Sequence, residues 1–187
     1  AGVAGTEAIK KGLSSGAHVN VLDISQNKLN ELEKSFGTEN ISYIISNTDS
    51  ISHAISKSDL VIGSVYVVGK EAPKVITKDM LKVMKPGSVL VDISIDQGGC
   101  VETSKPTTHD NPIFIEDDVV HYCVTNMPGA VPLTASLALN QATLPYVEKI
   151  ADLGLSQALK EDLHLANGLN MASGIVKHDS VSAALDN

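Results

Sequence analysis

The sequence predicts an α/β protein, a doubly wound parallel sheet with a C-terminal helical extension. Three observations carry that prediction. Short apolar runs recur through the first two thirds of the chain: Val19 to Leu22, Ile41 to Ile45, Leu60 to Gly63 and Ser88 to Ile93. They are rich in Val, Ile and Leu and scarcely interrupted by polar residues, as suits strands covered on both faces by helices. Segments of helical spacing separate them, giving the βα rhythm of a parallel sheet with right-handed crossovers. With 187 residues, 43% hydrophobic and 19% charged, the chain has the composition of one folded domain, or one domain with an appendage, and not of a disordered segment.

Taken in order, Ala8, Ile9, Gly12 and Leu13 share one helical face, and Ser15-Gly16 breaks that helix before the Val19 to Leu22 strand, which ends at Asp23. Lys28 to Phe36 reads as a helix, Ile41 to Ile45 as a strand, Ser50 to Ser56 as a helix and Leu60 to Gly63 as a strand. After a loop from Ser64 to Pro73, a short helix from Lys78 to Met84 is stopped by Pro86-Gly87, and Ser88 to Ile93 is a strongly apolar strand. Pro112 to Glu116 and Val119 to Val124 read as extended segments around the acidic turn Asp117-Asp118.

The character then changes. Pro132 to Ala151 reads as a long helix with Pro145 as a kink, followed by a helix from Ser156 to Leu163, an extended stretch over Gly168 to Val176 and a closing helix from Ser180 to Leu185. The division expected is a sheet domain over 1–128 and a helical segment over 129–187. That segment is too poor in apolar residues to hold its own core, so it is expected to pack on a portion lying upstream.

The opening Ala1-Gly2-Val3-Ala4-Gly5-Thr6 enters a helix at once. A dinucleotide-binding unit needs G-x-G-x-x-G between a strand and a helix; Gly2 and Gly5 supply its second and third glycines, which places the first glycine and its strand upstream of residue 1. Gly2 then allows the backbone to approach a diphosphate, Gly5 allows the helix to lie close to the sheet, and the helix start presents N–H groups and a partial positive charge. Asp23, 18 positions after Gly5, closes the next strand where an acid accepts hydrogen bonds from the ribose hydroxyls. A carboxylate there repels a 2′-phosphate, so NAD is favoured over NADP. Lys28 lies close enough in sequence to touch the same ribose.

In an open parallel sheet, ligands lie beyond the carboxyl ends of the strands. Asp23, Ser46, Ser64-Val65-Tyr66 and Ser94 to Gly99 are the residues that follow the apolar runs. Ser46 and Ser64 are equally suited to capping helices or turns. Asp96, on a glycine-flanked loop, has the chemistry for proton transfer or for positioning water, and also the chemistry of an ordinary solvated loop carboxylate.

Composition excludes several functions. Acids outnumber bases 22 to 14, a net charge of −8, and every basic residue is Lys. Without a basic face or a forked guanidinium, a nucleic-acid partner is not expected. No run approaches the roughly twenty apolar residues of a membrane span, and no leader pattern opens the sequence, so neither export nor a membrane partner is expected. Cys100 and Cys123 lack metal-ligand spacing, which reads as reduced cytoplasmic thiols with no metal site.

Longer motifs carry a family resemblance. Val91 to Cys100 (VDISIDQGGC), followed by Ser104-Lys105-Pro106-Thr107-Thr108, resembles the signature stretch of the alanine dehydrogenases. Asp59 to Gly63, Met84 to Gly87, His121 to Pro128 and Ala142 to Val147 extend the resemblance over nearly the whole chain. It implies reversible NAD-dependent oxidative deamination of L-alanine to pyruvate and ammonium, in a cytoplasmic homohexamer. Carried onto matching positions, it implies Val3 and Ala4 at the diphosphate, beside Gly2 and Gly5, with Asp23 and Lys28 at the ribose and Ser46 near the adenine. Val65, Tyr66, Ile93, Ser94, Ile95, Asp96, Lys105, Val124, Thr125, Asn126 and Met127 are implied around the cofactor, with Asp96 as the catalytic carboxylate.

The sequence departs from the family at Lys105, Tyr66 and Val68, where Arg, Leu and Pro are common. The family's substrate-binding Arg and Lys and its catalytic His belong to an N-terminal domain, and none of the six histidines here matches that role; they read as surface or structural residues. The NAD-binding subunit of proton-translocating transhydrogenase is a related alternative, in which an acid other than Asp is usual at the position of Asp96 and Asn replaces Cys100. A non-catalytic module that holds NAD is the third reading.

Overall fold

A computed structural model of the chain describes residues 2–67 and 71–185, so the centre of the expected 64–73 loop, Val68 included, lies outside the described residues. The chain divides into two compact units, with the boundary between Met127 and Pro128.

The first unit opens with α1 (Val3–Ser14), β1 (Val19–Asp23), α2 (Gln26–Phe36) and β2 (Ile41–Ile45). β1 and β2 are parallel, with Val19 opposite Ile41 and Asp23 opposite Ile45. Ile9, Val21, Leu29, Leu32 and Ile41 pack into a core between this sheet and the helices. α1 approaches β1 closely at Gly12, where a Cβ would lie 3.1 Å from Val19 Cγ2, so the missing side chain there lets the helix down onto the sheet. α2 begins two residues earlier than its apolar pattern suggests, because the Ser25 hydroxyl caps it by accepting from the Lys28 N–H.

Next come α3 (Thr48–Lys57), β3 (Leu60–Gly63), α4 (Lys78–Leu81), β4 (Val89–Asp92), β5 (Ile113–Glu116) and β6 (Val119–Tyr122). Asn47 and Ser50 form a reciprocal capping box at the start of α3. The second sheet has the order β3-β4-β6-β5, parallel except for the β5–β6 hairpin, whose turn residues Asp117 and Asp118 both have positive φ. Its core gathers Ile55, Ile76, Leu81, Leu90, Val101 and Val119.

The expected strands therefore form, but in two sheets, β1-β2 and β3-β4-β6-β5. Among the described residues β1 pairs only with β2 and β3 only with β4, leaving each with one unpaired edge. β3 accordingly exposes Leu60 and Ile62.

Other boundaries moved for local reasons. The strand expected over Ser88 to Ile93 stops at Asp92, whose side chain accepts from the Ser94 N–H and starts a 3₁₀ turn over Ile93–Gln97. The Lys78 to Met84 helix shortens to Leu81 and tightens into i→i−3 bonds at Val83 and Met84, just before Pro86. The segment expected over Val119 to Val124 ends at Tyr122, and Val124 makes an isolated bridge with Thr107.

In the second unit, α5 (Pro132–Leu153) runs through Pro145 and buries none of its residues. The helix expected over Ser156 to Leu163 is two, α6 (Leu155–Glu161) and α7 (Leu163–Asn167), because the Asp162 carboxylate caps the second by accepting from the His164 and Leu165 N–H groups. The stretch over Gly168 to Val176 folds into a hairpin of β7 (Met171–Ala172) and β8 (Ile175–Val176), turned by Ser173 and Gly174 at positive φ. α8 (Asp179–Leu185) follows. Ala158 is the one fully buried apolar side chain among the described residues of this unit.

Candidate functional site

All the site residues expected from the sequence lie in the first unit, and most stand just beyond the carboxyl ends of its parallel strands. They form two clusters.

The first surrounds the start of α1 and the ends of β1 and β2. Gly2 is the N-cap of α1; it brings no capping side chain, and α1 carries no acid in its first turn. The N–H groups of Val3, Ala4 and Gly5 therefore open the helix with no acid of its own first turn beside them. A Cβ on Gly2 would meet no atom within 4 Å, and the Val3 side chain is 87% exposed, so the space against this turn is clear. Asp23 Oδ1 accepts from the Ser25 N–H at 2.9 Å, which turns the carboxylate at the end of β1, and the Asp23 carbonyl accepts from the Ser46 N–H at 2.9 Å. Asp23 and Ser46 are thus neighbours across the sheet end. Lys28 reaches along its own helix to Glu31, 3.4 Å away.

The second cluster is built around the 3₁₀ turn Ile93–Gln97. The buried Ser94 hydroxyl donates to the Val65 carbonyl at 2.8 Å and accepts from the Val65 N–H at 2.9 Å, tying the loop after β3 to the turn after β4. Tyr66, the next residue, is 65% exposed. Asp96 is exposed on the turn, and both its carboxylate oxygens face the Asn126 N–H, at 3.2 and 3.3 Å. Asn126 has a left-handed backbone (φ 51°), and its carbonyl accepts from His109 Nε2 at 3.1 Å. Thr125 is held by its N–H to the Thr107 carbonyl at 3.1 Å, and Val124 is fully buried. Met127 closes the unit.

Lys105 points elsewhere. Its Nζ is 3.1 Å from Glu116 and 5.5 Å from the centre of the Phe114 ring. Lys78 binds the other Glu116 oxygen at 2.8 Å, and the two ammonium donors hold the Glu116 carboxyl down at about 2.

Four contributors were not among the expected site residues. Lys74 Nζ donates to the carbonyls of Gly98 and Gly99, and the Ala72 and Val75 N–H groups donate to Gln97 and Cys100, so residues 71–76 strap the turn from outside. His109, expected as a surface or structural residue, supports Asn126. Asp92, within the apolar β4 run, is fully buried under the turn. Cys100 donates its S–H to Asp92, and burial, with the nearby carboxylate, pushes its thiol up to about 12. For Asp92 the signal available was an acid inside a β run followed by Gly98-Gly99.

Among the described residues, no helix is long and apolar enough to cross a membrane. The family model described as alanine dehydrogenase/PNT, C-terminal domain, matches residues 1–179. The chain is 50% identical over 183 residues to an alanine dehydrogenase of Halomonas elongata, covering 98% of this chain and 49% of that protein. It is 48% identical over 186 residues to alanine dehydrogenase 2 of Staphylococcus aureus (strain USA300), covering 99% and 50%. Among solved structures, an L-alanine dehydrogenase superposes with a TM-score of 0.86 at 45% identity, covering 99% of this chain and 51% of that one. A transhydrogenase from Sinorhizobium meliloti superposes with a TM-score of 0.73 at 25% identity, covering 96% and 48%. The chain thus spans about half the length of the curated relatives it matches. With the two clusters at the carboxyl ends of its strands and a family match over residues 1–179, the chain belongs to the alanine dehydrogenase/PNT C-terminal domain family.

Proposed function

We propose that this chain is the NAD-binding part of an enzyme that converts L-alanine, NAD⁺ and water reversibly into pyruvate, ammonium, NADH and a proton. The observation that carries the reading is the exposed Asp96 carboxylate at the end of the sheet, aimed by the Asn126 N–H, in a chain about 50% identical to alanine dehydrogenases. The clear space at Gly2 and the uncapped first turn of α1 fit a diphosphate, and the Asp23 carboxylate fits a ribose diol.

Gly2, Val3, Ala4 and Gly5 hold the diphosphate with backbone N–H groups, Asp23 accepts from the ribose hydroxyls, and Ser46 lies at the adenine end. Lys28 reaches the ribose by leaving Glu31, an exposed pair that parts at little cost, and Lys105 reaches the cofactor by leaving Glu116, which keeps Lys78 as its partner. NAD, when bound, supplies the acceptor for the hydride. Val65, Tyr66, Ile93, Ser94, Ile95, Val124, Thr125 and Met127 line the nicotinamide end and keep water from it. Asp96 holds the attacking water or the carbinolamine by accepting its hydrogen bond, and takes up the proton that the oxygen releases as the carbonyl forms. Residues for the alanine carboxylate come from outside this chain, which has no Arg for a bidentate grip. The sheet domain over 1–128 binds the cofactor, and the helical segment over 129–187 packs on the substrate domain of a longer, hexameric, cytoplasmic protein. The higher identity to alanine dehydrogenases than to the transhydrogenase favours the deaminating reaction.

The test is Asp96→Asn in the full-length protein carrying this segment. The expected result is a loss of kcat of at least about 10²-fold with NADH affinity retained, as for removal of a general acid–base group. Turnover of alanine at the parent rate by that variant overturns the reading.

A further inference from the structure

We propose that Asp92 is a positioning residue for this reaction, a buried carboxylate that fixes the turn on which Asp96 is carried. The inference rests on the reading of Asp96 as the catalytic carboxylate. Asp92 is the last residue of β4 and is 0% exposed. A carboxylate removed from water is stable only when its lone pairs are satisfied, and none of the ion pairs among the described residues involves Asp92. Its partners are the turn itself. Oδ1 accepts from the Ser94 N–H at 3.0 Å and from the Cys100 S–H at 3.4 Å. Oδ2 accepts from the Cys100 N–H at 2.9 Å, the Val101 N–H at 3.2 Å and the Ser104 hydroxyl at 2.6 Å.

Those donors lie on both sides of Asp96 in sequence, so one carboxylate pins the entry and the exit of the segment that presents the other. Between the pins, the Gly98 N–H to Ile95 carbonyl bond and the Gly99 N–H to Ser94 carbonyl bond, 3.1 and 3.0 Å, close the turn. Two glycines make room for the arrangement. A Cβ on Gly99, which has φ +76°, would lie 2.8 Å from Asp92 Oδ2, and one on Gly63, opposite Asp92 in register, would collide with Cys100 Sγ. Replacing an oxygen of Asp92 with an amide NH₂ sets a donor against one of these donor groups, and the turn must shift to relieve it.

The experiment is a double-mutant cycle of Asp92→Asn and Asp96→Asn in the full-length protein, read as kcat, KM for NAD and thermal midpoint. Misplacing a reacting group by about 1 Å costs about 10²-fold in rate, so Asp92→Asn is expected to lower kcat by about that factor and to change KM for NAD by less than about threefold. In the Asp96→Asn background the same change is expected to cost no further rate, because the group it positions is already gone. A purely structural Asp92 lowers the thermal midpoint and costs the same factor in both backgrounds; that result, or a kcat within about threefold of the parent, overturns the proposal. If Asp92→Asn does not fold, Ser104→Ala removes one donor and keeps the carboxylate. It is then expected to lower kcat severalfold in the parent and not in Asp96→Asn, and equal losses in the two backgrounds overturn the proposal. A parent-like rate for Asp96→Asn alone instead overturns the reading of Asp96 beneath it.

Discussion

At the scale of single residues, the turn after β4 is held by groups with little freedom to change. Gly99 combines a left-handed backbone with a site where a Cβ would press on a buried carboxylate oxygen. Gly99→Ala is therefore expected to destabilise the protein by more than about 1 kcal/mol, measured by chemical denaturation, where an alanine at an unstrained position would cost a fraction of that. Cys100, with its thiol pushed up to about 12 first by burial and then by the charge of Asp92, stays protonated at neutral pH. Native protein is expected to resist iodoacetamide at this thiol, with mass spectrometry showing labelling only after unfolding; rapid labelling of the native state contradicts the buried geometry. Asp23 and Asp96 stood out in the sequence because each follows an apolar run at a ligand-facing edge. Asp92 did not, because its role depends on donors from positions up to Ser104 that only the folded turn brings to it.

At the scale of elements, the caps explain most of the shifted boundaries, and one of them offers a test. Asn47 accepts from the Ser50 N–H at 2.9 Å while Ser50 Oγ accepts from the Asn47 N–H at 2.9 Å. Asn47→Ala is expected to cost about 1 kcal/mol in denaturant melts. The β5–β6 hairpin is linked to α4 and to the segment after the Ile93–Gln97 turn through Glu116, which accepts from Lys78 and Lys105. Those two hydrogen bonds lower the Glu116 carboxyl from 4.5 to about 2. A carboxyl depressed in the folded state stabilises the fold above its unfolded value, and that stabilisation is lost as pH falls through the folded value. Glu116→Gln is thus expected to lower the thermal midpoint at pH 7, with the difference between variant and parent shrinking between pH 4.5 and about 2; a gap that persists at the acid end shows that charge is not the cause. Glu116 also holds Lys105, a residue proposed to reach the cofactor, at 3.1 Å.

At the scale of the whole molecule, the largest fact is that the parallel strands form two sheets, with β1 and β3 each having one unpaired edge among the described residues. The core beneath β4 carries the stability of the second sheet: Leu90→Ala, at a fully buried site among Leu81, Val101 and Val119, is expected to cost about 2–5 kcal/mol by calorimetry or denaturant titration. The same division bears on activity. The isolated 187 residues are expected to bind NADH, seen as a change in its fluorescence, and not to oxidise alanine, because the groups proposed to grip the substrate lie elsewhere. Measurable turnover by this chain alone contradicts that assignment.

The sequence by itself determined the α/β class, the order of strands and helices, and which residues follow the carboxyl ends of the parallel strands, because these follow from local periodicity and from short spacings along one chain. Tertiary structure alone decided which groups aim them. The Asn126 N–H on Asp96 spans 30 positions, the Ser94 hydroxyl on Val65 spans 29, and Lys74 reaches the Gly98 and Gly99 carbonyls across 24 and 25. Such contacts leave no period in the sequence, since a hydrogen bond between distant residues constrains two positions and nothing between them. The packing of α1 through Gly12, the break of the late helix at Asp162 and the Lys105–Glu116 pair belong to the same class. Each was settled when neighbouring elements competed for the same donors, acceptors and space.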